Sequence, residues 1–149
     1  MSDNKLIAYT DGACKGNPGI GGWGAILSFN GKIKEIYGAE RDTTNNRMEL
    51  MAAIKTLQSL KRECEIKIYT DSKYLQNGIK LWLTNWKSNG WQTAAKKDVK
   101  NKDLWQELDL LTQKYKVNWA WVKGHSGNEG NDRADELANK AITELRGKG

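Results

Sequence analysis

Proline and cysteine are scarce in this chain, with one proline and two cysteines in 149 residues. Cys14 and Cys64 can close at most one disulfide, which excludes a disulfide-stapled fold. We expect both as free thiols in a reducing cytoplasm. A single histidine beside two cysteines is too small a set for a structural zinc cage. No apolar run approaches the roughly 20 residues that span a bilayer, so no membrane partner is expected. Residues 1–5 are polar and hold no apolar segment of the kind a secretory signal needs. Phenylalanine occurs once, against seven tryptophans.

What the chain does have is positive charge. Its formal net charge is +6 and its sequence pI is about 9.3, which leans towards a polyanionic partner. Tryptophan is also a side chain that stacks on nucleic-acid bases. With 38% hydrophobic residues, one ordinary core is within reach, and residues 1–149 read as a single domain. The short polar run before the first strand leads us to expect no separate N-terminal domain.

Residues 5–11 read as a strand. The segment 12–24 is rich in glycine and reads as a turn, with strand character returning at 23–29. Asn30-Gly31 signals a hairpin, and 33–39 completes a meander. Leu50, Ile54, Leu57 and Leu60 then recur at helical spacing, predicting a helix over 46–61 opened by an Asn46–Glu49 capping box. A strand over 65–70 precedes a helical stretch through Trp82 and Trp86. A helix over 101–114, a strand over 116–122, a loop over 124–130 and a last helix follow. The order βββαβα(α)αβα predicts an α/β fold: a five-stranded mixed sheet, three antiparallel strands and then parallel ones, flanked by helices.

Four carboxylates fall where such a sheet places chemistry. Asp11 ends the first strand, Asp71 follows the fourth, and Glu49 and Asp135 lie early in helices. Open α/β sheets bind ligands at the carboxyl ends of their strands, where Asp11 and Asp71 meet if those strands are parallel neighbours. Each position also has an ordinary explanation. Acids in a first helical turn complement the macrodipole, and Asp at a strand end forms turns. Clustered carboxylates stay ionised only beside counter-charge, which Mg²⁺ supplies while leaving positions for a phosphate.

The residues themselves carry a resemblance. YTDGACKGNPG at 9–19 with GGWGA at 21–25, TTNNRMEL at 43–50, YTDS at 69–72, WVKGHSG at 121–127 and NDRADELA at 131–138 resemble, in order, type 1 ribonuclease H, close to its bacterial members. The resemblance spans about residues 5–142 and implies the ribonuclease H-like fold. It implies an endoribonuclease that hydrolyses the RNA strand of RNA–DNA hybrids with two Mg²⁺ ions, Mn²⁺ being a substitute, and leaves 5′-phosphate and 3′-hydroxyl ends. Asp11, Glu49, Asp71 and Asp135 match the family's catalytic, metal-holding carboxylates. His125 matches a loop histidine that transfers protons and aids product release.

For the substrate, Asn17, Asn45 and Asn46 match minor-groove contacts, and Thr44 and Asn101 match a pocket for a DNA-strand phosphate. Residues 80–102 resemble a basic protrusion, in which Lys87, Lys96 and Lys97 are candidate phosphate contacts interleaved with Trp82 and Trp86. Helix packing is the ordinary reading of that tryptophan pair. The chain departs from the family pattern at Ser88, Asn89 and Gln92, which are neutral, at Asp42, where a base is common, and at Lys73, where glutamine is common. We expect a cytoplasmic monomer, with no protein partner legible. Rival readings are another nuclease of this fold, an inactive hybrid-binding module and a two-carboxylate glycoside hydrolase. The first lacks the NNRME string, the second predicts a missing carboxylate, and the third sits poorly with the basic charge and four acids.

Overall fold

The computed structural model describes residues 6–123 and 129–148. Strands β1 (Leu6–Gly16), β2 (Gly19–Phe29) and β3 (Lys32–Thr43) form an antiparallel meander. Helix α1 (Asn45–Gln58) leads into β4 (Glu65–Thr70), which lies parallel beside β1. The chain continues through α2 (Lys73–Asn77), a π-helical stretch (Gly78–Trp82) and α3 (Leu83–Ser88). Helix α4 (Lys102–Lys114), β5 (Lys116–Trp121), parallel to β4, and α5 (Glu129–Gly147) complete it. The sheet order β3-β2-β1-β4-β5 is the mixed five-stranded sheet that the sequence predicts.

Alternation along β2 assigns the two faces of the sheet. Ala25 and Leu27 join a core with Leu50, Ile54 and Leu57 of α1 and Leu104, Trp105 and Leu108 of α4. Gly22 and Gly24, on the opposite face, lie under α5: a Cβ on them would sit 2.3 Å from the Ala138 carbonyl oxygen and 2.5 Å from that of Ala134. This corrects the reading of 12–24 as a turn. Those glycines are paired in the ladder, Gly24 with Asp11 and Gly22 with Ala13, and the pairing runs on to Gly16 opposite Gly19, so Asp11 lies within β1 rather than at its end. Their smallness serves the approach of a helix rather than a bend, and composition alone does not separate the two uses.

Three helix boundaries also differ from expectation. Thr44, not Asn46, caps α1, its hydroxyl accepting from the Arg47 amide at 3.2 Å. Glu49 does not turn back to close a capping box, because its side chain is buried inside the molecule. The helix stops at Gln58, where the Ser59 amide closes the last turn. The expected loop over 124–130 ends earlier, since α5 begins at Glu129.

Gly78 opens the π-helical stretch where the buried Trp105 ring crosses the backbone. A Cβ there would lie 2.0 Å from the ring's Cη2. Gly78→Ala is therefore expected to destabilise the fold by about 1–3 kcal/mol, the usual cost of overpacking, measurable as a lowered urea midpoint at unchanged m-value.

Candidate active site

Strands β1 and β4 are neighbours, and the sheet extends from them in opposite directions, through β2 and β3 beyond β1 and through β5 beyond β4. A ligand crevice belongs at such a switch point, outside the carboxyl ends of the strands. The parallel pairing ends at Tyr9 opposite Tyr69, and the next residues but one are Asp11 and Asp71. Gly12 brings α1 against this edge, as a Cβ on it would lie 2.6 Å from the Glu49 amide nitrogen. Glu49 is thereby delivered to the same point. One ligand oxygen from each of Asp11, Glu49 and Asp71 lies within 4.8 Å of the others. They line a cavity of about 440 Å³, with Asn45, Asn46 and Asp135 at its walls.

Burial and mutual repulsion shape the electrostatics. Asp11 and Glu49 are each only 8% exposed. Burial, then the charges of Asp71 and Asp135, push the Asp11 carboxyl up to about 8, although it accepts from the Gly12 amide at 3.0 Å. Burial, then Asp11 and Asp71, push Glu49 well above the usual carboxylate range, partly offset by hydrogen bonds from the Gly12 amide and the Ser72 side chain. Glu49 Oε1 is fully buried without a hydrogen-bond partner. An unpartnered buried acceptor beside two further carboxylates fits a hard divalent cation, whose charge would let all three ionise. Asp135 is exposed, close enough to act on Asp11 but outside the tight three-carboxylate group.

The other sequence candidates fall into distinct neighbourhoods. Asn17 Oδ1 accepts from the Asn45 amide at 3.1 Å, which ties the β1–β2 turn to the cavity wall. Thr44 caps α1, and Asn101 lies beside Arg47 and Tyr74. Trp82 and Trp86 touch each other at 5.7 Å between ring centroids, and Trp86 meets Trp105 edge-on at 5.5 Å. They do not line the carboxylate cavity. Lys96 and Lys97 are exposed, whereas Lys87 Nζ lies 3.3 Å from Asp109 Oδ1 of α4. His125 lies outside the described residues.

Sequence reasoning missed Arg47, Asp103 and Tyr74. The Arg47 guanidinium grips both oxygens of Asp103 at 3.0 Å and holds that carboxyl below its ordinary range. Nothing local marks this pair, since 56 residues separate the partners. Tyr74 lines the cavity, and only its place after the YTDS string hinted at it.

The RNase H family model matches residues 3–143. Ribonuclease H of Francisella tularensis subsp. novicida (strain U112) is 81% identical over 145 residues, covering 97% of this chain and 95% of the relative. Among solved structures, LC9-RNase H1, a type 1 RNase H with the type 2 active-site motif, superposes with a TM-score of 0.84 at 30% identity, over 95% of this chain and 73% of that one. LC11-RNase H1, solved in complex with an RNA/DNA hybrid, shares the fold at a TM-score of 0.71 and 24% identity, over 95% of this chain and 99% of that one. The family match runs from the strand that carries Asp11 to the helix that carries Asp135, and the chain therefore belongs to the RNase H family of metal-dependent nucleases.

Proposed function

We propose that the protein is an endoribonuclease that hydrolyses the RNA strand of RNA–DNA hybrids and leaves 5′-phosphate and 3′-hydroxyl ends. The observation that carries this reading is the convergence of three carboxylates, with an unpartnered buried oxygen on Glu49, at the carboxyl edge of β1 and β4. Family membership and the +6 charge support a nucleic-acid substrate.

Asp11, Glu49 and Asp71 would hold two Mg²⁺ ions, or Mn²⁺ in their place, with Asp135 adding a ligand from the rim. When bound, the ions supply Lewis-acid stabilisation of the charge that builds on the phosphate oxygens. Water adds to phosphorus, the bond to O3′ breaks, and the 3′ oxygen leaves as a hydroxyl. Asn45 and Asn46, at the cavity wall and steadied by Asn17, suit the 2′-hydroxyl and minor-groove edges, since an amide both donates and accepts. Thr44 and Asn101 receive a DNA-strand phosphate. The protrusion of residues 80–102 adds Lys96 and Lys97, with Lys87 shared with Asp109 and with Trp82 and Trp86 as its packed base. The chain acts as a single-domain cytoplasmic monomer on this reading, and among the described residues no helix is long and apolar enough to cross a membrane.

His125 is assigned the proton transfer that accompanies bond breaking. His125→Ala is expected to lower kcat by roughly 10²-fold with KM little changed. A loss confined to KM would remove that role.

The product ends test the reaction class. RNA fragments released from a hybrid should prime a DNA polymerase directly, because their 3′ hydroxyls are free. Extension only after phosphatase treatment would overturn the proposed chemistry.

A further inference from the structure

Asn101 stands before α4 with φ 59°, in the left-handed region, and its side chain does not cap the helix it precedes. Its amide is committed elsewhere. Oδ1 accepts from Arg47 Nη1 at 3.2 Å, and Nδ2 donates to the Tyr74 hydroxyl at 3.0 Å. Arg47 lies in the first turn of α1, next to Asn46 and two residues before Glu49. Its Nη1 and Nη2 also donate to the two carboxylate oxygens of Asp103, each at 3.0 Å. The Tyr74 hydroxyl accepts again from Nε1 of the buried Trp105 at 2.9 Å. One hydrogen-bonded chain thus joins the start of α1, the start of α4 and the cavity wall at α2.

We propose that Arg47 and Asp103 are positioning residues, which fix the Asn101 amide so that it meets the DNA-strand phosphate as a donor and keeps the protrusion in register with the cleavage site. The inference rests on the hybrid-hydrolase reading above. Arginine only donates, so the side facing Arg47 must be Oδ1. That leaves the second Nδ2 hydrogen for an anion. A rotated amide would turn its oxygen towards the phosphate and repel it. Asp103 holds the guanidinium plane by a bidentate contact, a geometry that a lysine ammonium cannot reproduce. The Asp103 side chain is 64% exposed and does not line the cavity, so its route to substrate runs through Arg47 and Asn101. An exposed ion pair of this kind contributes little to stability, so its loss leaves the fold standing.

The test is steady-state cleavage of one hybrid, well below the thermal transition, by wild type, Asp103→Ala, Asn101→Ala and the double variant. Asp103→Ala should raise KM about five- to tenfold, the size of one well-placed hydrogen bond, with kcat within about twofold. In the Asn101→Ala background the same change should move KM by less than about twofold, because the residue through which it acts is gone. Arg47→Lys, which keeps the charge and loses the fork, should match the Asp103→Ala rise and covers the case of an unfolded alanine variant. An unchanged KM in Asp103→Ala and Arg47→Lys, or the same KM factor in both backgrounds, would overturn the inference. Failure of the wild type to cleave the hybrid overturns the hydrolase reading itself and is seen before any variant is compared.

Discussion

Asp11→Asn is expected to abolish divalent-metal-dependent cleavage while leaving the fold intact. The side chain keeps its shape and can still accept from the Gly12 amide, but it no longer offers a charged ligand beside Glu49 and Asp71. The same variant should be more stable than wild type without metal. Asp11 titrates near 3.8 in the unfolded chain and at about 8 in the folded one, where burial and the charges of Asp71 and Asp135 disfavour ionisation. A raised folded-state pKa means that the native state binds the proton more tightly. The stabilisation is therefore complete below about pH 4 and is lost as pH rises through about 8. In EDTA the wild-type thermal midpoint should fall across that window, and Asn, neutral throughout, should make the fall shallower, with buried Glu49, raised in the same direction, keeping the remainder. Parallel midpoint curves for the two proteins would contradict the picture of a repulsive carboxylate cluster.

Glu49→Gln is the second large effect, and it isolates the buried unpartnered oxygen. Glutamine fills the same volume, so packing against the Gly12 backbone is retained while the charge is lost. Removing a ligand that supports metal stabilisation of several kcal/mol should slow turnover by roughly 10³-fold, at about 1.4 kcal/mol per factor of ten. The Mg²⁺ concentration giving half the maximal rate should rise in parallel, while KM for the hybrid at saturating Mg²⁺ stays close to wild type. An unchanged Mg²⁺ requirement in the Glu49→Gln enzyme would take Glu49 out of the metal site.

Elements whose causes are local are legible in the chain. Strand β4 lies where its alternating pattern places it, over Glu65–Thr70, and Asp71 follows its end as expected. Asp11, expected at the end of a strand, instead lies within β1 and reaches the crevice because the parallel pairing with β4 stops at Tyr9. Features created by packing are not. Gly22 and Gly24 look like turn residues until α5 is laid across them. The same holds for charges that meet only in the fold. Lys87 looks unopposed within residues 80–102, yet Asp109, 22 residues on, lies against it from α4. Trp82 and Trp86 share a helix face as their spacing predicts, but the spacing gives no sign that Trp105 would close the cluster. Glu49 shows both limits: its helix is legible, while the reason it abandons the capping box is a cavity built by two distant strands.

The most direct comparison uses a hybrid labelled on its RNA strand, incubated with wild type in Mg²⁺, with wild type in EDTA, and with Asp11→Asn in Mg²⁺, alongside the RNA strand alone and the matching DNA duplex. RNA fragments should appear only from the hybrid, only with wild type and only with Mg²⁺. Comparable cleavage of the hybrid in EDTA or by Asp11→Asn, or equal cleavage of the DNA duplex, would contradict a carboxylate-held metal site built for hybrid hydrolysis.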